Sequence, residues 1–425
     1  MVLSAQVKLL DYIDRHLASY TQQWQLLTQQ QLNNTDTPYS QQFLTTLATH
    51  LPENERQNLM VSKQYDYAEL RRAAPRTLLF YHCYQPKTSL LQPLTHVASL
   101  LSALDACQNS MGSLPINIQW LFDTSNTTAR MEEWATLAPD HCICYHPAET
   151  GVGNTQTPIL ALGTKGYLRI ELEVHTLTST IGSMHGGIAP DALWRLLWAL
   201  GTLKDAREDI LIEGFYDTLT FVQDDMLAQL RTLPDTTAKL TQHWDLPQLL
   251  MGLQGFQLHY AHLLLPTCTV SSITHTPVPT STANIQTEIA LSGQAKAQVD
   301  FYLVPDQEPQ DIFRKLHAHL QKQGFSDVQM RILSASRPLS TAVDDPLIQR
   351  AIAATEKAYE QKPFLLPTTV GSYTPSPLWM KDGTPIVFMA RNELNSMRDE
   401  DAFASMIKHI ALLIEGIAHG TNTAQ

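Results

Sequence analysis

The sequence predicts an α/β fold interrupted by an inserted α+β module. Three observations carry that expectation. Short apolar strands alternate with amphipathic helices over residues 76–145. From about residue 165 the strands instead alternate apolar and polar positions, as in a sheet with one wet face. After Arg337-Pro338 the first pattern returns. The insert is therefore placed at 165–335, and the split α/β domain at 1–164 and 336–425.

Each element has its own signal. Residues 5–33 read as a helix with a Gln-rich polar face (Gln22, Gln23, Gln29, Gln30, Gln31). The run Asn33-Asn34-Thr35-Asp36-Thr37-Pro38 is a loop feeding a second helix over 39–50. Residues 76–81 form a short apolar run, as in a buried parallel strand. Residues 94–107 are helical, with Val97, Leu100, Leu101 and Leu104 on one face. Strands follow at 116–122 and 141–145. In the insert, strands 167–174 and 298–304 flank helices at 190–203, 217–230 and 310–323. The last part holds a helix (347–359), a strand (385–390) and a helix (401–418).

Composition narrows the function classes. With 425 residues, 44% hydrophobic and 16% charged, the chain reads as globular with two or three domains. A net charge of -12, from 41 acids against 29 Lys and Arg, argues against nucleic acid or an anionic membrane as partner. No apolar run reads as long enough to span a bilayer. Lys8, Asp11, Asp14 and Arg15 fall at helical spacing, so residues 1–20 read as an amphipathic helix and not a signal peptide. Five cysteines without a regular framework read as free thiols in a reducing cytoplasm. Cys142 and Cys144 share one strand face. They read either as small buried residues or, with His141 and His146 near, as a soft-metal pair. Gly151-x-Gly153 lacks the helix start of a phosphate loop.

Several motifs stand out. Strand 167–174 leads to Met184-His185-Gly186-Gly187, a Pro-led helix at 190–203, and then Gly214-Phe215-Tyr216-Asp217. Leu114-Pro115-Ile116-Asn117-Ile118 precedes them and Leu303-Val304-Pro305-Asp306-Gln307 follows. Over nearly the whole chain this order resembles the zinc-dependent dipeptidases of carnosinase type, with aminoacylases and succinyl-diaminopimelate desuccinylases as cousins. The resemblance implies a zinc-aminopeptidase-like three-layer α/β/α domain with an inserted dimerisation lid. It also implies two metal ions bridged by a carboxylate and a Glu general base.

The functional positions depart from that family. Its Gly-His-x-Asp-Val place reads His82-Cys83-Tyr84-Gln85-Pro86. Ungapped, Cys83 stands at the ligand His and Gln85 at the Asp; slid by one, they become His82 and Tyr84. The bridging Asp falls on Gln92, after a much shortened loop. In Asp123-Thr124-Ser125-Asn126-Thr127, Asn126 stands at the general-base position and Thr127 at a ligand position. The next acidic ligand falls on His146 and the last ligand His on Asn392. The nearby pair Glu132-Glu133 reads as part of a surface helix. The lid His becomes Ile181, the lid Arg becomes Tyr302, and the carboxylate-holding stretch reads Thr368-Thr369-Val370-Gly371-Ser372.

These departures lead us to expect a non-catalytic homologue with no catalytic residue and no cofactor. It would act as a homodimer, or beside an active paralogue, through the lid, with a small peptide-like ligand. The alternative is a hydrolase or acyl-transfer enzyme on a peptide-like substrate. It would use His82, Cys83 and His146 in a metal-poor cleft, with zinc if any metal is kept.

Overall fold

The computed structural model describes residues 4–33, 56–62, 67–83, 91–112, 116–123, 139–145, 157–179, 181–219, 223–277, 290–371, 383–390 and 400–419. The expected helix at 39–50 lies outside them. The chain divides into two compact units. The first takes Met1–Gly163, Gln223–Leu263 and Ser340–Gln425, and the second Thr164–Val222 and Leu264–Leu339. Residues 223–263, which the sequence reading put in the insert, thus group with the first unit.

In chain order the strands are β1 (Leu59–Ser62), β2 (Tyr67–Leu70), β3 (Thr77–Cys83), β4 (Asn117–Asp123), β5 (His141–Tyr145) and β6 (Ile159–Ala161). They continue with β7 (Gly163–Thr164), β8 (Gly166–His175), β9 (Thr267–Pro277), β10 (Ser292–Leu303) and β11 (Gln329–Ser336). The last are β12 (Leu339–Ser340), β13 (Phe364–Leu366) and β14 (Ile386–Ala390). The longer helices are α1 (Ala5–Asn33), α2 (Leu91–Met111), α3 (Ala192–Leu200), α4 (Asp224–Thr232) and α5 (Thr237–Trp244). After these come α6 (Gly255–Leu264), α7 (Pro309–Lys322), α8 (Pro346–Tyr359) and α9 (Glu400–His419).

The first unit holds an eight-stranded sheet in the order β1-β2-β4-β3-β5-β14-β6-β13. Strands β4, β3, β5 and β14 run parallel, and β2 and β6 are antiparallel to their neighbours β4 and β14. Register puts Phe80 beside Trp120 and Ile143, and Val387 beside Ile143. Because strand side chains alternate, these residues share one face. That face forms a buried core with Leu9, Ile13 and Trp24 of α1, Val97 and Leu104 of α2, Leu347 of α8, and Phe403 and Ile410 of α9. Trp24 stacks on Phe403 at 4.6 Å, and its indole N–H donates to Thr95 Oγ1 at 3.1 Å. Met226 of α4 packs against the same core, which is why this helix belongs here. Its apolar stripe was legible; the core it would meet was not.

Helix α9 corrects one expectation, since its 20 residues are long and apolar enough to cross a membrane. Within it, 72% of the apolar window is buried, so it serves as a core helix. Cys142 and Cys144 lie on the sheet face opposite the core just described, fully buried and outside any disulfide. Burial pushes the Cys142 thiol up, which favours the inert reading.

The second unit is a four-stranded antiparallel sheet in the order β11-β8-β10-β9. In β8, Leu168, Ile170, Leu172 and Val174 are buried alternately and join Leu196 of α3 and Ile312 and Leu316 of α7. Helix α3 starts at Ala192, capped by Asp191, not at Pro190. The Asp191 carboxylate accepts from the Leu193 and Trp194 N–H groups at 2.8 and 3.1 Å. Gly166 allows a close approach: a Cβ there would meet Pro338 Cδ at 2.7 Å and the Ser336 oxygen at 2.8 Å. Beside it, buried Lys165 donates to the Leu265 carbonyl at 2.7 Å, and desolvation lowers its pKa to about 8.

Candidate functional site

Parallel strands end together, and ligands of open α/β sheets bind outside those carboxyl ends. Here β3 ends at Cys83, β4 at Asp123, β5 at Tyr145 and β14 at Ala390. Cys83 is thus a strand terminus, and Gln92 is the second residue of α2. Asn126, Thr127, His146 and Asn392 lie outside the described residues, as do Tyr84, Gln85, Glu132, Glu133 and Ser372. In sequence, His146 directly follows β5, Asn126 and Thr127 follow β4, and Asn392 follows β14.

The five ligand positions offer one thiol, one imidazole, two amides and one hydroxyl. None is a carboxylate. A pair of dications needs anionic oxygen to bridge it and offset its charge, so this donor set does not fit a binuclear zinc centre. Among the described residues, no group of three or more His, Cys, Asp or Glu could hold a metal ion.

What the structure brings together near these strand ends is a buried aromatic and imidazole cluster. His82 lies in phase with Leu78 and Phe80, so it points into the helix-covered core and is only 6% exposed. Its ring stacks on Tyr145 at 5.0 Å and lies 6.1 Å from His96. Desolvation, with the His96 imidazole second, pushes His82 well below the ordinary imidazole range. Burial likewise raises the Tyr145 phenol. His409 of α9 lies edge-on to Tyr359 at 5.5 Å. The Thr355 hydroxyl donates to the Ala351 carbonyl at 2.7 Å, so at 3.0 Å it accepts from His409 Nε2.

Between His96, Tyr145, Tyr359 and His409 is a cavity of about 20 Å³, closed further by Met389 and Met406. It has room for about one water molecule. The cluster can keep neutral imidazoles and phenols inside a core. With His82 turned inward, the alternative reading loses one of its three candidate groups.

The substrate-handling positions are also accounted for. The Ile181 carbonyl accepts from Leu291 N at 2.9 Å. Tyr302 lies 5.3 Å from Tyr167, ring to ring. Thr368 and Thr369 are buried, and their hydroxyls donate to the carbonyls of Thr369 and Gly371. The stretch Thr368-Thr369-Val370-Gly371-Ser372 itself carries no positively charged side chain.

Sequence reasoning did not find the roles of His96, Tyr145, Tyr359 and His409. A signal existed: His409 lies three residues after Met406 and four before Leu413, in phase with a buried stripe.

No family model matches the chain, and no curated protein matches it. Solved structures do. The M20 family metallo-carboxypeptidase Sso-CP2 from Sulfolobus solfataricus aligns at 24% identity with a TM-score of 0.66, covering 84% of this chain and 90% of that one. The di-peptidase Dug1p from Saccharomyces cerevisiae aligns at 12% identity and TM-score 0.65, over 98% and 99% of the two chains. Human carnosine dipeptidase 1 aligns at 15% identity and TM-score 0.62, over 96% and 99%. Identities this low establish architecture alone: the chain has the α/β fold with a lid domain that is shared by the M20 metallopeptidases.

Proposed function

We propose that this chain is a non-catalytic relative of the metallodipeptidases that acts by binding, as one subunit of a dimer. One observation carries the reading: where the family resemblance puts metal ligands and the general base, Cys83, Gln92, Asn126, Thr127, His146 and Asn392 supply no carboxylate. Without a bridging carboxylate there is no pair of metals, and without metal no activated water. Neither Asn126 nor Thr127 takes a proton from water at neutral pH. The cleft then serves a small peptide-like ligand without turning it over.

Assembly is assigned to the second unit. Trp194 and Trp198 of α3 are 59% and 58% exposed, and Leu197 beside them is 37% exposed. The partner is a second copy or an active paralogue. Four buried cysteines that form no disulfide, Cys107, Cys142, Cys144 and Cys268, fit a reducing cytoplasm.

The test is metal content with activity. Protein purified without chelator is expected to hold well under one zinc per chain and to leave dipeptides and acyl-amino acids intact. Stoichiometric zinc, removed by chelator together with a hydrolytic activity, overturns the reading. Metal-independent hydrolysis lost in both Cys83→Ala and His146→Ala establishes the alternative. Equal turnover in both variants points to a contaminating peptidase.

A further inference from the structure

A second pocket, of about 250 Å³, opens in the first unit beside β13. Strand β13 is the outermost of the sheet, with β5, β14 and β6 between it and β3. The pocket is therefore apart from the strand ends discussed above. Gln229 and Thr232 from the last turn of α4 line it, together with Ile352 and Glu356 of α8 and Lys362 and Phe364 at the entry to β13.

The Thr232 hydroxyl donates to the Gln229 carbonyl at 2.7 Å, but three other polar groups of the pocket are unspent. Glu356 and Lys362 carry opposite charges, yet among the described residues neither side chain makes an ion pair or a hydrogen bond. Gln229 Oε1 is closed off from water and, among the described residues, accepts no hydrogen bond. Such an acceptor is costly to leave unmet. Gln229 and Thr232 sit in the last turn of α4, and Glu356 in that of α8. Helix C-termini carry partial negative charge, so Glu356 stands where a carboxylate is disfavoured and a cation is welcome. Lys362, beyond the end of α8, offers the opposite charge on the same pocket. The rest of the wall is apolar, with Ile352 and Phe364 foremost.

We propose that this pocket binds a free α-amino acid with an apolar side chain. The ammonium group lies at Glu356 and, after a small turn of the amide, at Gln229 Oε1. The carboxylate lies at Lys362, and the side chain packs on Ile352 and Phe364. One carboxylate is too few for a divalent cation, and a pocket this small excludes a folded peptide. The assignment does not depend on whether the cleft at the strand ends is catalytic.

Calorimetric titration of the full chain with L-leucine tests it. The expected dissociation constant is on the order of 1 mM. Isocaproate, which lacks the ammonium, and isopentylamine, which lacks the carboxylate, are expected to bind about tenfold more weakly or not at all. Glu356→Gln and Lys362→Gln each weaken L-leucine by about tenfold. Ile352→Trp fills the pocket without touching either charge and abolishes binding, in protein that keeps its far-UV circular dichroism. Absence of L-leucine binding overturns the proposal. So does equal affinity for isocaproate, or binding that survives Ile352→Trp, which places the ligand elsewhere.

Discussion

The two units differ in whether their exceptional residues are buried or exposed. In the first, His82, Tyr145 and His409 lie inside, among Phe80, Ile143 and Met406. In the second, buried polar groups are paired: His319 Nε2 lies 3.0 Å from the Thr202 carbonyl, Gln307 donates to Phe215 O at 2.9 Å, and Asp300 accepts from Arg169 Nε at 2.7 Å. The anomaly there is outside, where Trp194 and Trp198 face water. Imidazoles hidden in a core act through stability and pH. Indoles shown to water act through association. The same architecture therefore has two separate handles, and each can be pulled without the other.

The largest effect is expected in the core of the first unit. Trp24→Ala removes the stack on Phe403 and the bond to Thr95. A loss of about 3–5 kcal/mol is expected in urea unfolding. A loss below about 1 kcal/mol would show that α1 is not an integral part of that core. Next comes the outer face of the second unit. Trp194→Ser with Trp198→Ser is expected to weaken self-association at least about hundredfold, because exposed indoles are typical anchors of an interface. Light scattering at micromolar concentration should then report the monomer mass, with the thermal midpoint little changed. A monomeric parent protein, with no partner recovered from cells, would remove the association half of the contrast.

The pH response is smaller and belongs to the first unit. The folded state holds His82 far below the ordinary imidazole value of 6.5, through burial first and His96 second. Below that value the unfolded chain takes up a proton that the folded chain refuses. Stability is thus full above about pH 6.5 and falls as pH drops, by about 1.4 kcal/mol per pH unit, until the folded imidazole itself protonates. His82→Phe keeps the stack on Tyr145 and should flatten that slope by about one proton. An unchanged slope would assign the response to His141 or His319, which burial also lowers. The smallest effect is expected at the surface. Asp11→Ala breaks the exposed pair with Arg15 and should cost about 0.5 kcal/mol or less.

Much of the architecture was legible in the sequence, for identifiable reasons. The alternation of Leu168, Ile170, Leu172 and Val174 can satisfy only a half-buried strand, and the structure pairs it as β8. The apolar runs at 76–81 and 141–145 became β3 and β5. Residues 223–263 were misplaced because periodicity shows that α4 has an apolar side, not which sheet will cover it. Strands β1, β2 and β6 were missed because three or four residues make no period. Strand β9, rich in Thr and Ser, hides its pattern behind hydroxyls. At the candidate site, residue types were readable and surroundings were not. His82 looks like a polar strand end in sequence, and only the register with Phe80 shows that it turns inward.

The chain passes between the units at 163/164, 222/223, 263/264 and 339/340, so neither unit is one continuous stretch. This has a bearing on synthesis. Helix α1 packs in the same core as α9, and Gln6 Nε2 of α1 donates to Glu415 of α9 at 2.9 Å. As the polypeptide leaves the ribosome, α1 and its partner α2 emerge well before α9. At about 5–20 residues per second that interval is tens of seconds. The second unit has all its residues once Leu339 is out, while the first still lacks α8, β13, β14 and α9. During that interval α1 can pair with α2, to which Trp24 bonds through Thr95, but the part of their core that α9 closes, with Phe403 and Ile410, is left as open apolar surface on a nascent chain, a natural place for a chaperone to hold.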